Sequence, residues 1–483
     1  MNTLSTKAKI TLSIAILLAI LASGFIIAKL GSIGFLLITI LFVMIFVVAK
    51  VFKDPLWGFC SIMFFLPFER VPSFLIGGTN IKINTILGFI VILAWIFALL
   101  FNGKKWKIQP NALAIPLGLF VSSILLSLTQ AVDLDRAYVV TAFVLFTMFL
   151  GILATNMVSS TEDLQKIIKV LFFSSLVAGL FGFFQFAGDV VGLPMSITLL
   201  KEGYGSGTFG FPRIQAFSME PLYFANYLFL PICLGLAYFF EEVKGFLSRW
   251  WMLVLSVILL INFVLTVSRG AYLGFVGSFL VLGILMFKKI FTWKNVFIMA
   301  FSIFIVGYGV AYGLSNGDTR ATNEFIKHVL VKDYSAGESV QSRLSASGQA
   351  YTAYQLNPVF GLGLGNYGPY VKSYPVNTPK DGWPIVNNEY LEIMAEMGTY
   401  GIVTFGLILL VLIVRSLVAI YRAKDDFLKL TMIAMLAALA GVLIQYASFS
   451  TLYIIHIWVL IGLMVGVQNL ILREELRIKN KEL

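Results

Sequence analysis

Residues 250–287 read WWMLVLSVILLINFVLTVSRGAYLGFVGSFLVLGILMF. Two apolar runs, 250–267 and 271–287, flank one charge in Thr266-Val267-Ser268-Arg269-Gly270. About 20 apolar residues are what a helix needs to cross a hydrocarbon core roughly 30 Å thick. In lipid such a run must be helical, because every backbone amide needs an internal partner. The stretch is therefore read as two membrane helices joined by a turn that sets a guanidinium at the hydrocarbon edge. A charge there is costly unless it snorkels or faces a polar cavity.

The same pattern recurs outward in both directions. Candidate spans lie at 8–28, 33–51, 55–68, 83–101, 111–129, 137–155, 167–188, 221–239, 295–313, 397–417, 430–448 and 452–471, besides the pair already quoted. Apolar residues make up 59% of the chain and charged residues 12%, against about 45–50% and 25% in soluble domains. Mean hydropathy is +0.92. The expectation is an all-α, polytopic membrane helical bundle of about 12–14 spans. One large polar loop, 315–396, separates an N-terminal bundle (1–314) from C-terminal helices and a tail (397–483).

The net charge of +11 does not call for nucleic acid. Much of the excess sits in short connectors, where it sets orientation and meets anionic headgroups. With the N-terminus in the cytoplasm, Lys50, Lys53, Lys104, Lys105, Lys107, Lys244, Arg249, Lys288, Lys289, Arg422, Lys424 and the tail from Arg473 fall inside. That satisfies the positive-inside rule. Both termini are then cytoplasmic, and the 190–217 and 315–396 loops are extracytoplasmic. Cys60 and Cys233 lie in apolar runs and read as small buried hydrophobes. The two histidines, His328 and His456, are not clustered with cysteine, so neither a metal nor another cofactor is expected.

Four clusters could carry chemistry. Arg269 suits a phosphate or pyrophosphate through bidentate hydrogen bonds, or simply anchors its helix at the interface. Arg213 and Glu220 stand where the chain enters a span. Glu220 is either a working carboxylate or a helix-start acid beside Pro221. Arg343 falls on a second loop helix, 341–356, after a surface segment from Arg320 to Lys332. The run Asn387-Asn388-Glu389-Tyr390-Leu391-Glu392 continues to Glu396, so Glu389, Glu392 and Glu396 share one helical face. Carboxylates at a membrane mouth can activate an acceptor hydroxyl, or they can wet an interfacial helix. Tyr390 can stack on a sugar or join the aromatic belt. Between these clusters, Gly361, Gly363, Gly365 and Gly368 form a turn-rich strap. It is not a nucleotide loop, because no Gly-Lys-Ser/Thr follows. Its glycines are expected to let backbone lie close to a polymer or a lipid headgroup.

Taken in order, Ser268-Arg269-Gly270, the run from Asn357 to Asn366, and Asn388-Glu389-Tyr390-Leu391 followed by Glu396-Met397-Gly398 resemble the O-antigen ligase/polymerase family of bacterial envelope enzymes. The resemblance covers roughly 210–470. It implies a multi-span glycosyltransferase of the bacterial cytoplasmic membrane. The donor is an undecaprenyl-pyrophosphate-linked glycan, and the acceptor is a lipid, a protein or another lipid-linked glycan. Carried over, Arg213, Arg269 and Arg343 hold the pyrophosphate, with Asn387, Asn388 and Tyr390 at the glycan.

One departure matters. The position of the family ligases' histidine is Asn387 here, which takes no proton at neutral pH. Glu220 or Glu389 must substitute, or the acceptor differs. That favours a polysaccharide polymerase over a ligase. The rival class is a transporter for the same lipid, which calls for inverted repeats and broken mid-membrane helices.

Overall fold

The computed structural model describes residues 38–39, 45–76, 79–101, 108–206, 210–298, 301, 338–372, 383–450 and 452–482. The candidate spans 8–28 and 295–313, most of 33–51, the Arg320–Lys332 segment and His328 fall wholly or largely outside them.

The chain is a helical membrane protein. Among the described residues seven helices are long and apolar enough to cross a bilayer. In chain order the longer helices among the described residues are α1 (Pro55–Phe65), α2 (Ile83–Phe101), α3 (Ala114–Ser127), α4 (Leu134–Met157), α5 (Thr161–Val190), α6 (Pro221–Phe240), α7 (Arg249–Leu265), α8 (Arg269–Leu285), α9 (Glu338–Leu356), α10 (Glu389–Arg422), α11 (Asp426–Gln445) and α12 (Ile455–Glu482). Between α1 and α2 a short antiparallel hairpin, β1 (Ser73–Ile76) with β2 (Thr79–Lys82), pairs Ser73 with Lys82. It sits in a connector, the place for it, because an open sheet edge is not tolerated in hydrocarbon.

Two compact units are present, residues 1–58 with 89–106, and residues 59–88 with 107–483. In the first, Gly58 lets Val51 and Val91 close in: a Cβ there would lie 2.7 Å from Val51.

The second unit carries the candidate site. Its centre is α6, buried along nearly its whole length, with α11 and α12. Helix α8 packs on α11, α4 on α12, α7 and α11 on α6, α3 on α10, and α9 on α10. Lipid supplies no hydrophobic drive between helices, so small residues that allow close approach decide these pairings. A Cβ on Gly151 of α4 would lie 2.7 Å from the Trp458 carbonyl of α12. One on Gly274 of α8 would lie 2.6 Å from the Gly441 carbonyl of α11. Buried polar groups are paired across helices: Asn226 donates to Gln445 (2.7 Å), and its Oδ1 meets His456 Nε2 at 2.7 Å.

Cross-links gather one set of helix ends. Ile214 N–H donates to the Leu265 carbonyl, Tyr390 Oη–H to Leu443 O, and Asp133 N–H to Asn366 Oδ1. The starts of α4 and α10 and the last turns of α7 and α11 are thereby tied to loop segments or to each other, and only three residues separate the end of α7 from the start of α8. The basic connectors mark the opposite helix ends, where Lys289 pairs with Glu241 (2.7 Å) and Arg422 with Glu475 (3.2 Å).

Candidate functional site

Arg213, Arg269 and Arg343 share one neighbourhood. Arg213 is positioned by its backbone N–H to Tyr204 O (2.8 Å), by Nε–H to Thr266 O (3.3 Å), and by the Tyr204 ring 5.4 Å beneath its guanidinium. Arg269 opens α8 just after Val267, a non-glycine residue at φ 48°. That left-handed turn tightens the loop out of α7. Burial, and to a smaller extent Arg269, push Arg213 below the ordinary guanidinium value, while Tyr204, Tyr272 and Glu220 oppose the shift. Arg343 is exposed on α9; partial desolvation, then the charge of Arg269, lowers it, with less burial behind the shift than at Arg213. Arg269 therefore repels both of the other two. Glu220 precedes α6, ion-paired with Lys201 (3.1 Å). Burial and then Glu220 push the Tyr204 phenol up to about 12.

The second cluster forms around the start of α10. Glu389 is buried and, with Glu392 and Glu396, lines a narrow cleft facing Arg136 of α4. Two of the three carboxylates hold backbone. Glu396 accepts from Gly365 N–H (2.7 Å) and Tyr367 N–H (3.0 Å), and Glu392 from Val386 N–H (2.9 Å). Asn388 caps α10 by accepting from Leu391 N–H (3.2 Å), and Tyr390 donates to Leu443 O (2.7 Å). Asn387 adopts φ 57°, turning the chain into the helix.

The Gly-rich strap departs from expectation. Its glycines approach the chain itself, not a polymer or headgroup. Leu362 and Gly363 donate to the carbonyls of Ala395 and Glu396 (both 2.9 Å), and Thr399 donates to Pro358 O (2.8 Å). Gly361, Gly363 and Gly365 have φ of 70°, 92° and 78°, and α10 breaks at Gly398 (φ 66°), where the strap crosses. The strap is a clasp that fixes the start of α10.

Two further candidates, Arg136 and Glu69, carry no local sequence motif. Arg136 donates through Nε to Gly365 O (2.5 Å), lies 5.4 Å from the Trp383 ring, and faces Glu396, Tyr453, Asp133 and Glu392. Glu69, 8% exposed, stands 3.9 Å from His456 Nδ1, and its Oε2 has no hydrogen-bond partner among the described residues. Burial raises its carboxyl above the usual range, although Lys82 and the Met219 amide pull it down. Arg136 and Glu69 both line a cavity of about 300 Å3 that adjoins the carboxylate cleft. Asn84, 2% exposed, adds a second unpartnered acceptor, Oδ1, to its wall. Leaving such a buried atom unpaired costs about 1–3 kcal/mol. Arg136 stands in the first turn of α4 and Glu69 in the connector after α1.

Tyr223 bridges the two clusters, lying within electrostatic reach of Glu220, Glu69, Glu392 and Tyr453. Residues 254–406 match the family model described as O-antigen ligase. Over that stretch the chain is similar to O-antigen ligases. The match runs from α7 into α10 and takes in Arg269, Arg343, the glycine clasp and the carboxylate helix. Arg213, Glu220, Arg136 and Glu69 lie outside it. The O-antigen ligase family comprises membrane glycosyltransferase-like ligases and polymerases that act on lipid-linked glycans. No curated protein matches the chain.

Proposed function

We propose that this O-antigen ligase-family protein is a polysaccharide polymerase. On this reading it joins undecaprenyl-pyrophosphate-linked glycans on the outer side of the bacterial cytoplasmic membrane. The observation that supports it best is the trio Arg213, Arg269 and Arg343. Like charges gather at a cost, and a diphosphate between them reverses that cost through charge-assisted, bidentate hydrogen bonds.

The donor enters sideways from lipid and seats its pyrophosphate on the arginines. The acceptor hydroxyl oxygen attacks the anomeric carbon as the bond to the pyrophosphate oxygen breaks. The lipid pyrophosphate leaves with that electron pair, and the hydroxyl proton passes to a carboxylate. A single displacement inverts the anomeric centre. The guanidiniums stabilise charge that grows on the leaving group, the kind of interaction that lowers a barrier. Glu389, buried in the carboxylate cleft, orients the hydroxyl. Glu220, held by Lys201, orients Arg213. Asn387, Asn388 and Tyr390 shape the glycan path at the start of α10. With the charge met by arginine, the reading needs no metal.

Purified protein incubated with lipid-linked repeat units tests this directly. A ladder of products is expected. A single transfer to a foreign acceptor would make it a ligase, and no product with competent substrate would remove the transferase reading in favour of a transporter.

A further inference from the structure

We propose that the cavity bounded by Glu69, Lys82, Asn84 and Tyr453 is the subsite for the acceptor's sugar ring, and that this sugar arrives attached to a membrane lipid. The inference rests on the transferase reading and specifies its second substrate.

Three observations carry it. First, Glu69 Oε2 and Asn84 Oδ1 are deeply buried acceptors without a partner among the described residues, and both belong to the cavity wall. Two orphaned polar atoms, one of them on a carboxyl whose neutral form can also donate, call for a ligand rich in hydroxyls, as a sugar is. Asn84 leaves its oxygen open because its amide nitrogen is spent on Phe65 O (2.6 Å). Lys82 and the Tyr453 phenol add polar groups able to meet further hydroxyls. Second, the size fits: about 300 Å3 is at the lower end of the roughly 300–1,000 Å3 of small-ligand sites, enough for one ring and not for a long chain. Third, the wall combines polar and apolar residues. Val139 and Phe143 of α4 line the cavity and yet are 55% and 39% exposed on an apolar membrane helix. That part of the wall is free to meet lipid tails. A cavity that combines buried polar atoms with exposed apolar wall residues suits an amphiphile with a sugar head. It shares Arg136, Val140 and Tyr453 with the cleft that holds Glu389, where the hydroxyl is to be activated.

The test reads occupancy, independently of polymer. Thr85→Cys is introduced into the cavity wall on a Cys60→Ser background, and its alkylation by a thiol reagent is timed in lipid nanodiscs. Hexyl glycosides of glucose, galactose and N-acetylglucosamine are the probes, with the free sugars alongside. At least one glycoside is expected to slow labelling threefold or more, and the free sugars to do so less. Glu69→Ala is expected to abolish protection. Phe143→Ala is expected to remove the advantage of the alkyl chain. Equal protection with Glu69 present and after Glu69→Ala, or none by any glycoside, would overturn the proposal. Arg269→Ala separates it from its parent: protection should persist there while polymer is lost. Absence of any transfer product from the wild type with lipid-linked repeats would count against the transferase reading alone.

Discussion

Arg269 concentrates the residue-scale argument, because its charge bears on both Arg213 and Arg343. Arg269→Ala is expected to cut polymer formation by about 100-fold or more, comparable to losing a preorganised charge stabiliser, without lowering the amount of protein in the membrane. Arg269→Lys keeps a charge but loses the planar fork, so it should fall between the two. Product ladders and immunoblots of the same membranes check both. Full chain length in both variants would remove the phosphate role. Glu69 makes a different kind of claim. Its carboxyl is raised by burial, so the fold favours the neutral form. Such a group contributes stability that is complete below the ordinary carboxyl pKa and lost as pH rises through the raised one. Lys82, His456, Tyr223 and Tyr453 face it, and only Lys82 opposes the shift among the charges named for it. Glu69→Gln should therefore match the wild-type melting temperature near pH 4 and exceed it increasingly above the usual carboxyl range of about 4.3. Melting in detergent across pH measures it. A gap widening toward acid would contradict the burial argument.

At the scale of elements, the glycine clasp yields a paired prediction. Gly361 and Gly203 both have left-handed φ, 70° and 87°. A Cβ at Gly361 would strike the backbone of Glu396 and Met397, whereas at Gly203 it would meet open space. Gly203→Ala should cost only the left-handed penalty of about 1–2 kcal/mol. Gly361→Ala should cost clearly more and release the start of α10, seen as a larger drop in melting temperature and faster proteolysis near 360–400. The same clasp shows what the sequence could convey. Glycines in alternation announced a close backbone approach, but the partner, the break at Gly398, lies more than thirty residues on, and local pattern does not encode that register. The long apolar helices were legible because a 20-residue run has one reading in lipid. The β1–β2 hairpin was not, since four-residue strands leave too short a period to detect. Asn388 and Glu396 were legible as polar residues on the right helix. That one caps it and the other clamps two amides required coordinates.

For the whole molecule, the arrangement of charge decides which way the bundle faces. Lys289, Arg422 and their partners lie at helix ends opposite to Glu220, Arg269 and Glu389. Cytoplasmic connectors attract the excess of lysine and arginine, so the ends bearing Lys244, Lys289 and Lys424 should face the cytoplasm and the candidate site should face outward. Arg136 and Glu69, taken singly, each read in the sequence as an interfacial charge; only their convergence on one cavity, from the first turn of α4 and the connector after α1, gives them a role. Orientation is open to a direct measurement. Glu202, Lys244 and Lys424 are all exposed, while Cys233 is buried within α6. Single cysteines at these three positions, on a Cys60→Ser background, should divide by side. Glu202→Cys should react with a membrane-impermeant maleimide in intact cells stripped of outer layers. Lys244→Cys and Lys424→Cys should react only after permeabilisation. The reverse labelling would put the arginines on the side where the lipid-linked glycan is built and not where it is polymerised. Polymerisation at the outer face would then fail, however well the arginine trio fits a diphosphate.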